Sequence, residues 1–198
     1  MPASETLSSR RFDGIADDFF AGEVLHRTLG PQTGSAICDV ACGAGSLALS
    51  FADEYPARLV GVDADPSMLE SFRKLAAERS VSVETARAAT EELPFPDASF
   101  DLVVSLFVPH RFQDAARAVG EMARLLRPGG RLAVIGPQSH QDSARRHALA
   151  EWVGRLRSTG LRVLAARGGQ PESRTGLPVT RWLVIGVKPL GGGAPTCR

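Results

Sequence analysis

The chain has 198 residues, enough for one domain with a sizeable core, and its 43% of hydrophobic residues excludes a disordered protein. A formal net charge of +1 argues against a nucleic-acid-binding surface, and no apolar run approaches the roughly 18 residues of a membrane span. Cys38, Cys42 and Cys197 form neither a disulfide framework nor a metal-binding pattern. Since residues 1–11 are polar and lack an apolar signal core, we expect a cytoplasmic protein that neither binds nucleic acid nor inserts into a membrane.

The first segment, residues 1–30, carries aromatic and aliphatic side chains at helical spacing with a hinge at Gly22. The positions are Phe12, Ile15, Phe19, Phe20, Val24, Leu25 and Leu29. This pattern predicts two short amphipathic helices. We expect them to form a helical lid over a ligand, and the alternative is that they simply pack against the sheet.

The next segment passes from an apolar run to a glycine-rich turn and then to helix-forming residues. Residues 36–40 predict the first strand, Gly43 and Gly45 the turn, and Ser46 to about Tyr55 the helix. Glycine allows backbone angles and a close ligand approach that a Cβ atom would prevent. The unpaired N–H groups at the start of the helix add hydrogen-bond donors. We therefore expect a ligand to lie over this loop.

A second strand, Arg58–Asp63, ends on an acid and precedes a helix, Pro66–Arg79, for which Asp65 is a suitable N-cap. Asp63 follows Gly43 by twenty residues. That is about the spacing at which an acid after the second strand binds a ribose hydroxyl. The alternative is a surface aspartate that only caps the helix, but the position of Asp63 at the end of a strand favours the ribose.

Five further strands and two helices complete the pattern. The strands are predicted at residues 81–86, 100–106, 131–136, 161–166 and 179–187, and the helices at 113–126 and 141–159. Strands that alternate with helices predict an α/β fold, a Rossmann-like doubly wound sheet of seven strands with helices on both faces. We expect a single domain over residues 1–198, with its core at 35–190 and a disordered tail at 191–198. Ligands of such sheets bind beyond the carboxyl ends of the strands.

The residues around the glycine loop leave two classes of cofactor open. Residues 43–48 also fit the G-x-G-x-x-A pattern, so an NAD-dependent oxidoreductase is one candidate. Asp39 is unfavourable near a pyrophosphate but favourable near an ammonium or sulfonium group. This favours S-adenosylmethionine, whose methionine end is cationic at two atoms.

Four blocks carry a family resemblance. They are DVACGAG at 39–45, GVDADPSML at 61–69, EELPFPDASFDLV at 91–103 and EMARLLRPGGRL at 121–132. In order and spacing they resemble the class I S-adenosylmethionine-dependent methyltransferases, in the branch similar to the ubiquinone/menaquinone-biosynthesis enzymes. The resemblance implies a mostly parallel sheet whose last strand runs antiparallel, between strands five and six. It also implies methyl transfer from S-adenosylmethionine to an unidentified acceptor, which we expect to be a small metabolite.

The same resemblance implies roles for individual residues. The loop from Ala41 to Gly45, with Asp39 before it, would hold the methionine part of the cofactor. Asp63 would hold the ribose, and Ala64 and Met68 would flank the adenine.

One stretch departs from the family pattern. Members usually carry an aspartate that accepts a hydrogen bond from the adenine amino group, whereas this chain has Ala88-Ala89-Thr90 there. Ala89 cannot accept through its side chain, and losing one such bond costs on the order of 1 kcal/mol. The Thr90 hydroxyl or the backbone would have to substitute. The departure leaves open a non-catalytic S-adenosylmethionine-binding or regulatory protein of the same fold.

Two residues near the end of the fourth strand concern the chemistry. The resemblance places Ser105 beside the sulfonium and the incoming acceptor. His110 matches the first histidine of the family's His-His segment and is the candidate general base, which an amine or hydroxyl acceptor would need. The alternative is a loop histidine that only packs or caps the next helix.

The connection at residues 137–141 is too short for the substrate cap that many family members insert there. We therefore expect an open, shallow acceptor site. Residues 1–30 and 107–112 would cover it, or the second subunit of a homodimer.

Overall fold

A computed structural model describes residues 29–52, 55–106, 112–137, 142–169 and 181–190. Most of the expected N-terminal lid, the segment that contains His110, the connection at 138–141 and the tail at 191–198 lie outside these ranges. The predictions made for them stay predictions. In the described ranges, no helix is long and apolar enough to cross a membrane.

Seven strands form one sheet. They are β1 Ala36–Val40, β2 Arg58–Asp63, β3 Val83–Arg87, β4 Phe100–Leu106, β5 Leu126–Pro137, β6 Arg162–Gly169 and β7 Arg181–Val187. Their order is β3-β2-β1-β4-β5-β7-β6, with parallel pairing from β3 to β5. β7 runs antiparallel to both β5 and β6, so the predicted Rossmann-like sheet is confirmed. The strand order reverses between β1 and β4, which is where doubly wound sheets form their ligand crevice.

In the described ranges, four helices of seven residues or more cover the two faces of the sheet. They are α1 Ser46–Ala52, α2 Pro66–Glu78, α3 Ala115–Leu125 and α4 Asp142–Ser158. On one face, Phe51 of α1 joins a buried cluster with Ile37 and Leu102 of the sheet. On the other face, Met122 of α3 and Trp152 of α4 belong to a second cluster. The apolar strands are therefore buried on both sides, as expected for a parallel sheet.

The predicted starts of α1 and α2 are confirmed, whereas α3 begins two residues later than predicted. Two strand starts are also wrong, that of β3 by two residues and that of β5 by five. The carboxylate of Asp65 accepts a hydrogen bond from the Ser67 N–H at the start of α2. Asp114 caps α3 in the same way. β3 begins at Val83 rather than at residue 81, because the N–H of Val81 donates to the Ala76 carbonyl at 2.9 Å and so closes the end of α2.

Phe72 of α2 locks the glycine loop against the sheet. Its ring is fully buried and fills the space that side chains would need at two glycines. A Cβ atom at Gly45 would lie 1.9 Å from this ring, and one at Gly61 in β2 would lie 2.4 Å from it. Both glycines are thus required by packing, and Phe72 positions the loop that follows β1.

Two tryptophans stack on the opposite face, near the carboxyl end of β5. The rings of Trp152 in α4 and Trp182 in β7 lie 5.4 Å apart at 27°. Trp182 lies over Gly136, where a Cβ atom would be 2.1 Å from the indole. Phe112 extends the group, with its ring 6.0 Å from that of Trp152.

Lys188, just after β7, closes the end of α3. Its Nζ donates to the carbonyl oxygens of Ala123, Arg124 and Leu126 at 3.1, 3.3 and 2.7 Å. These carbonyls lie at the end of the helix, where the backbone has no intrahelical partner and the helix dipole is negative. One ammonium group therefore ties the last helix turn to the antiparallel edge of the sheet.

Candidate functional site

The loop between β1 and α1 contains three residues with left-handed backbone angles: Ala41 at φ 58°, Gly43 at 54° and Gly45 at 81°. The sequence indicated the two glycines but gave no signal for Ala41, because alanine adopts this region only at a cost of about 1 kcal/mol. A Cβ atom at Gly43 would meet nothing within 4 Å, in contrast to Gly45. The space above Gly43 is therefore open to a ligand.

Asp63, at the end of β2, joins the glycine loop to the start of α2. Its carboxylate is 5% exposed. One oxygen accepts from the Gly43 N–H and the other from the Asp65 N–H, both at 2.9 Å. Each carboxylate oxygen has a second lone pair, so both remain able to accept a hydrogen bond from a ligand. The spacing that singled out Asp63 in the sequence thus corresponds to direct contact with the loop.

Asp39, at the carboxyl end of β1, is an unsatisfied buried acid. It is 1% exposed, and neither oxygen accepts a hydrogen bond from the described residues. Burial raises the pKa of this carboxyl group to about 8; the Ala48 N–H lowers it without reaching hydrogen-bond geometry, and the charge of Asp63 raises it further. A buried carboxylate without a partner is costly. A cationic or donor group beside the loop would remove that cost.

Ser105, near the end of β4, is the second unsatisfied polar side chain at this edge. It is 1% exposed and its Oγ has no partner among the described residues. Asp39 is in register with Val104 of the neighbouring strand, so Ser105 lies one position further along. Two buried side chains with free hydrogen-bonding capacity thus meet the same edge of the sheet.

The residues expected around a ligand's base lie at the ends of β2 and β3. The N–H of Ala88 donates to the Asp63 carbonyl at 3.3 Å, and Arg87 Nε donates to the Ala64 carbonyl at 3.2 Å. These contacts hold the loop that contains Ala89 and Thr90 against the turn after β2. Ala64 and Ala89 are exposed, and Met68 and Thr90 are half-buried.

The structure therefore brings the predicted ligand-binding residues to one edge of the sheet. They are Asp39, Ala41, Gly43, Gly45, Asp63, Ala64, Met68, Ala89, Thr90 and Ser105. His110 lies outside the described residues, and its role as a base is untested. Among the residues that the structure describes, no group of acids, histidines and cysteines is suited to hold a metal ion. Burial raises the pKa of the Cys38 and Cys42 thiols above the ordinary value, which disfavours the thiolate form of both.

A separate cleft of about 300 Å³ lies at the opposite edge, where the parallel strands begin. Gln32, Ser35, Asp101 and Arg131 contribute polar groups to its lining. The glycine loop and the unsatisfied Asp39 and Ser105 all lie at the other edge. The cleft is thus not part of the site that the sequence predicted.

Comparison with known proteins shows that this chain is similar to methyltransferases. A family model described as a methyltransferase domain matches residues 38–134. The chain is 36% identical over 159 residues to an uncharacterized methyltransferase, YcgJ, of Bacillus subtilis strain 168, which covers 77% of this chain and 61% of that protein. It is 43% identical over 100 residues to a demethylmenaquinone methyltransferase of Thermus thermophilus, which covers 50% of this chain and 46% of that protein. The chain thus spans less than two thirds of the length of these relatives.

A solved structure shows the same fold. The crystal structure of a SAM-dependent methyltransferase from Aquifex aeolicus matches with a TM-score of 0.74 at 18% identity, over 93% of this chain and 99% of that one. At this identity the match establishes the architecture alone.

Proposed function

We propose that this chain, in which residues 38–134 match a methyltransferase domain, is a class I methyltransferase that binds S-adenosylmethionine at the carboxyl edge of the sheet and transfers the methyl group to a small-molecule acceptor. The observation that carries this proposal is the buried carboxyl group of Asp39, which has no hydrogen-bond partner among the described residues and lies beside a glycine loop. A pyrophosphate would add negative charge next to it, whereas an ammonium and a sulfonium add positive charge. The site therefore favours S-adenosylmethionine over NAD.

The other residues of the site fit this cofactor. The space above Gly43 allows close approach of the methionine part. Asp63 would accept hydrogen bonds from the ribose hydroxyls with its remaining lone pairs. Ala64 and Met68 would flank the adenine. When bound, the cofactor supplies a methyl group attached to a sulfonium sulfur. Transfer of this methyl group releases a neutral thioether as the leaving group.

The protein's contribution to transfer would be positioning and exclusion of water. Ser105 would lie on the acceptor side of the cofactor, where its free hydroxyl can orient the nucleophile. His110 remains the proposed base for an amine or hydroxyl acceptor. Residues 1–30, or a second subunit of a homodimer, would cover an open acceptor site.

Two measurements test the proposal. Isothermal titration calorimetry should show micromolar binding of S-adenosylmethionine and S-adenosylhomocysteine and no comparable binding of NADH. Asp63→Asn should weaken S-adenosylhomocysteine binding by about tenfold or more, because the amide places an N–H group opposite the N–H of Gly43 or Asp65. Asp97→Asn, an exposed acid remote from the site, is the control. Absence of binding at high micromolar concentration would defeat the proposal.

Mass spectrometry separates an enzyme from a binding protein of the same fold. Incubation with methyl-labelled S-adenosylmethionine and an extract of small metabolites should give a labelled product and S-adenosylhomocysteine. Binding without any turnover over a broad set of acceptors would favour the non-catalytic alternative.

A further inference from the structure

Thr90 and Glu91 form a hydrogen-bonded pair in the loop where the expected adenine acceptor is missing. The Thr90 hydroxyl donates to Glu91 Oε2 at 2.9 Å. Glu91 Oε1 accepts from the N–H groups of Gln113 at 2.8 Å and Asp114 at 3.2 Å. The carboxylate thus connects the loop after β3 to the residues that precede α3.

The ionisation of Glu91 determines the direction of these hydrogen bonds. Partial burial raises the pKa of Glu91, but the hydrogen bonds from Asp114, Thr90 and Gln113 outweigh it and hold the pKa below its ordinary value. An ionised carboxylate can only accept hydrogen bonds. The single hydroxyl proton of Thr90 is therefore committed to Glu91, and the hydroxyl presents only lone pairs to any other partner.

The loop that carries this hydroxyl is fixed next to the ribose-binding acid. Ala88 donates to the Asp63 carbonyl, and the Glu92 N–H donates back to the Ala89 carbonyl at 3.2 Å. Just beyond them, the Leu93 N–H donates to a carboxylate oxygen of Glu121 at 2.9 Å. The loop that carries the half-buried Thr90 is thus held against Asp63 through Ala88, and it has no carboxylate at position 89.

We propose that Thr90 accepts the hydrogen bond of the adenine amino group, and that Glu91 is the positioning residue that keeps the threonine hydroxyl in its acceptor orientation. This inference rests on the proposed binding of S-adenosylmethionine. It makes the Thr90–Glu91 pair the determinant of base specificity in this chain, in place of the acid that Ala89 lacks.

The test compares two ligands whose bases differ at position 6 and, as a consequence, at N1, which is unprotonated in the adenine and carries an N–H in the hypoxanthine. S-adenosylhomocysteine carries the amino group, and S-inosylhomocysteine carries a carbonyl oxygen in its place. Calorimetry should show that the unmodified chain prefers the amino ligand, since the Thr90 lone pairs attract its N–H and repel the carbonyl. Thr90→Val, which keeps the side-chain shape, should weaken S-adenosylhomocysteine binding about fivefold and remove most of that preference.

Glu91→Gln tests the positioning role with an equally conservative change. Its amide oxygen can still accept from Gln113 and Asp114, which leaves the amide nitrogen to donate to Thr90. The threonine proton is then released and the hydroxyl no longer faces the ligand as a pure acceptor. We expect Glu91→Gln to lose the preference for the amino ligand as Thr90→Val does. Thr90→Ser, which keeps a hydroxyl at position 90, should retain this preference, and the control Glu92→Gln should leave it unchanged.

The outcomes distinguish a failure of the proposed function from a failure of this inference alone. Absence of S-adenosylhomocysteine binding by the unmodified chain would defeat the proposed function and this inference together. Normal binding with an undiminished preference for the amino ligand in Thr90→Val and Glu91→Gln would overturn the inference alone. A general structural role would lower the affinities for both ligands equally and leave their ratio unchanged, which also overturns it. Thermal unfolding of each variant shows whether it is folded.

Discussion

The buried carboxyl group of Asp39 favours the binding of a cationic ligand but lowers the free energy of unfolding of the protein. Its pKa of about 8 in the folded chain stands above the ordinary 3.8, chiefly because of burial. Below about pH 4 the group is protonated in both the folded and unfolded states and has no effect. Above that pH the unfolded state loses the proton first, so the free energy of unfolding falls by up to about 1.4 kcal/mol per pH unit until about pH 8.

Asp39→Asn should therefore stabilise the protein and weaken its cofactor binding. Asparagine resembles the protonated acid and does not titrate, so its gain in unfolding free energy should grow between pH 5 and pH 8. Urea unfolding at these two pH values measures it. S-adenosylhomocysteine binding at pH 8 should weaken by about tenfold or more, since the ligand's ammonium loses its counter-charge. Equal stability of the two chains at pH 8 would show that Asp39 is not destabilising.

Some features of single residues could be predicted from the sequence, and others could not. The predicted turn at Gly43 and the predicted strand end at Asp63 are confirmed, because turn geometry and strand ends leave a signal in the sequence. The left-handed backbone at Ala41 carried no signal, since alanine is not selected for it. The bond between Thr90 and Glu91 joins adjacent residues, but its anchor at Gln113 depends on the tertiary fold.

At the level of elements, periodicity predicted the strands and helices, and their ends depended on contacts that periodicity does not contain. β3 starts late because Val81 closes α2. β5 begins at Leu126, directly after α3, rather than at residue 131, because Phe100 of β4 is in register with Leu126 across the irregularity that follows. Ala76 and Val81 are five residues apart, whereas Phe100 and Leu126 are 26 residues apart, and neither contact follows from hydrophobic periodicity.

The end of α3 gives a prediction about such a remote contact. Lys188→Met should lower the free energy of unfolding by about 1–2 kcal/mol, because three carbonyl oxygens lose a charged donor while the apolar stem is kept. Chemical denaturation measures this change. The other lysine of the chain, Lys74, is exposed on α2, so Lys74→Met is a matched control that should have little effect. Similar losses in the two variants would contradict the capping role.

At the level of the whole molecule, alternation of strands and helices was sufficient for the fold class, whereas the place of β7 came from the family resemblance. A parallel sheet brings the carboxyl ends of its strands to one edge, so residues far apart in sequence such as Asp39, Asp63 and Ser105 converge there. The lack of hydrogen-bond partners for Asp39 and Ser105 among the described residues became visible only in the structure, because burial and hydrogen bonding are properties of packing. Composition alone contained no such information.

Ligand binding should accordingly protect one edge of the sheet. Saturation with S-adenosylhomocysteine at about a hundred times its Kd should add about 2.7 kcal/mol to the free energy of unfolding. In hydrogen exchange, added protection is expected at residues 39–46, 61–69 and 88–93. Residues 29–35 and 126–131, which border the cleft at the other edge, should not change beyond this global effect. Protection concentrated there instead would place the ligand at the wrong end of the sheet.

The stacked pair of Trp152 and Trp182 gives the protein an optical signature of its own. They are the only tryptophans in the chain, and each is buried on the face that carries α3 and α4. Near-ultraviolet circular dichroism depends on such fixed aromatic contacts and is lost when specific packing loosens while secondary structure persists. The indole signal is thus a label-free readout of whether β7 and α4 are correctly docked, in the unmodified chain and in each variant proposed above.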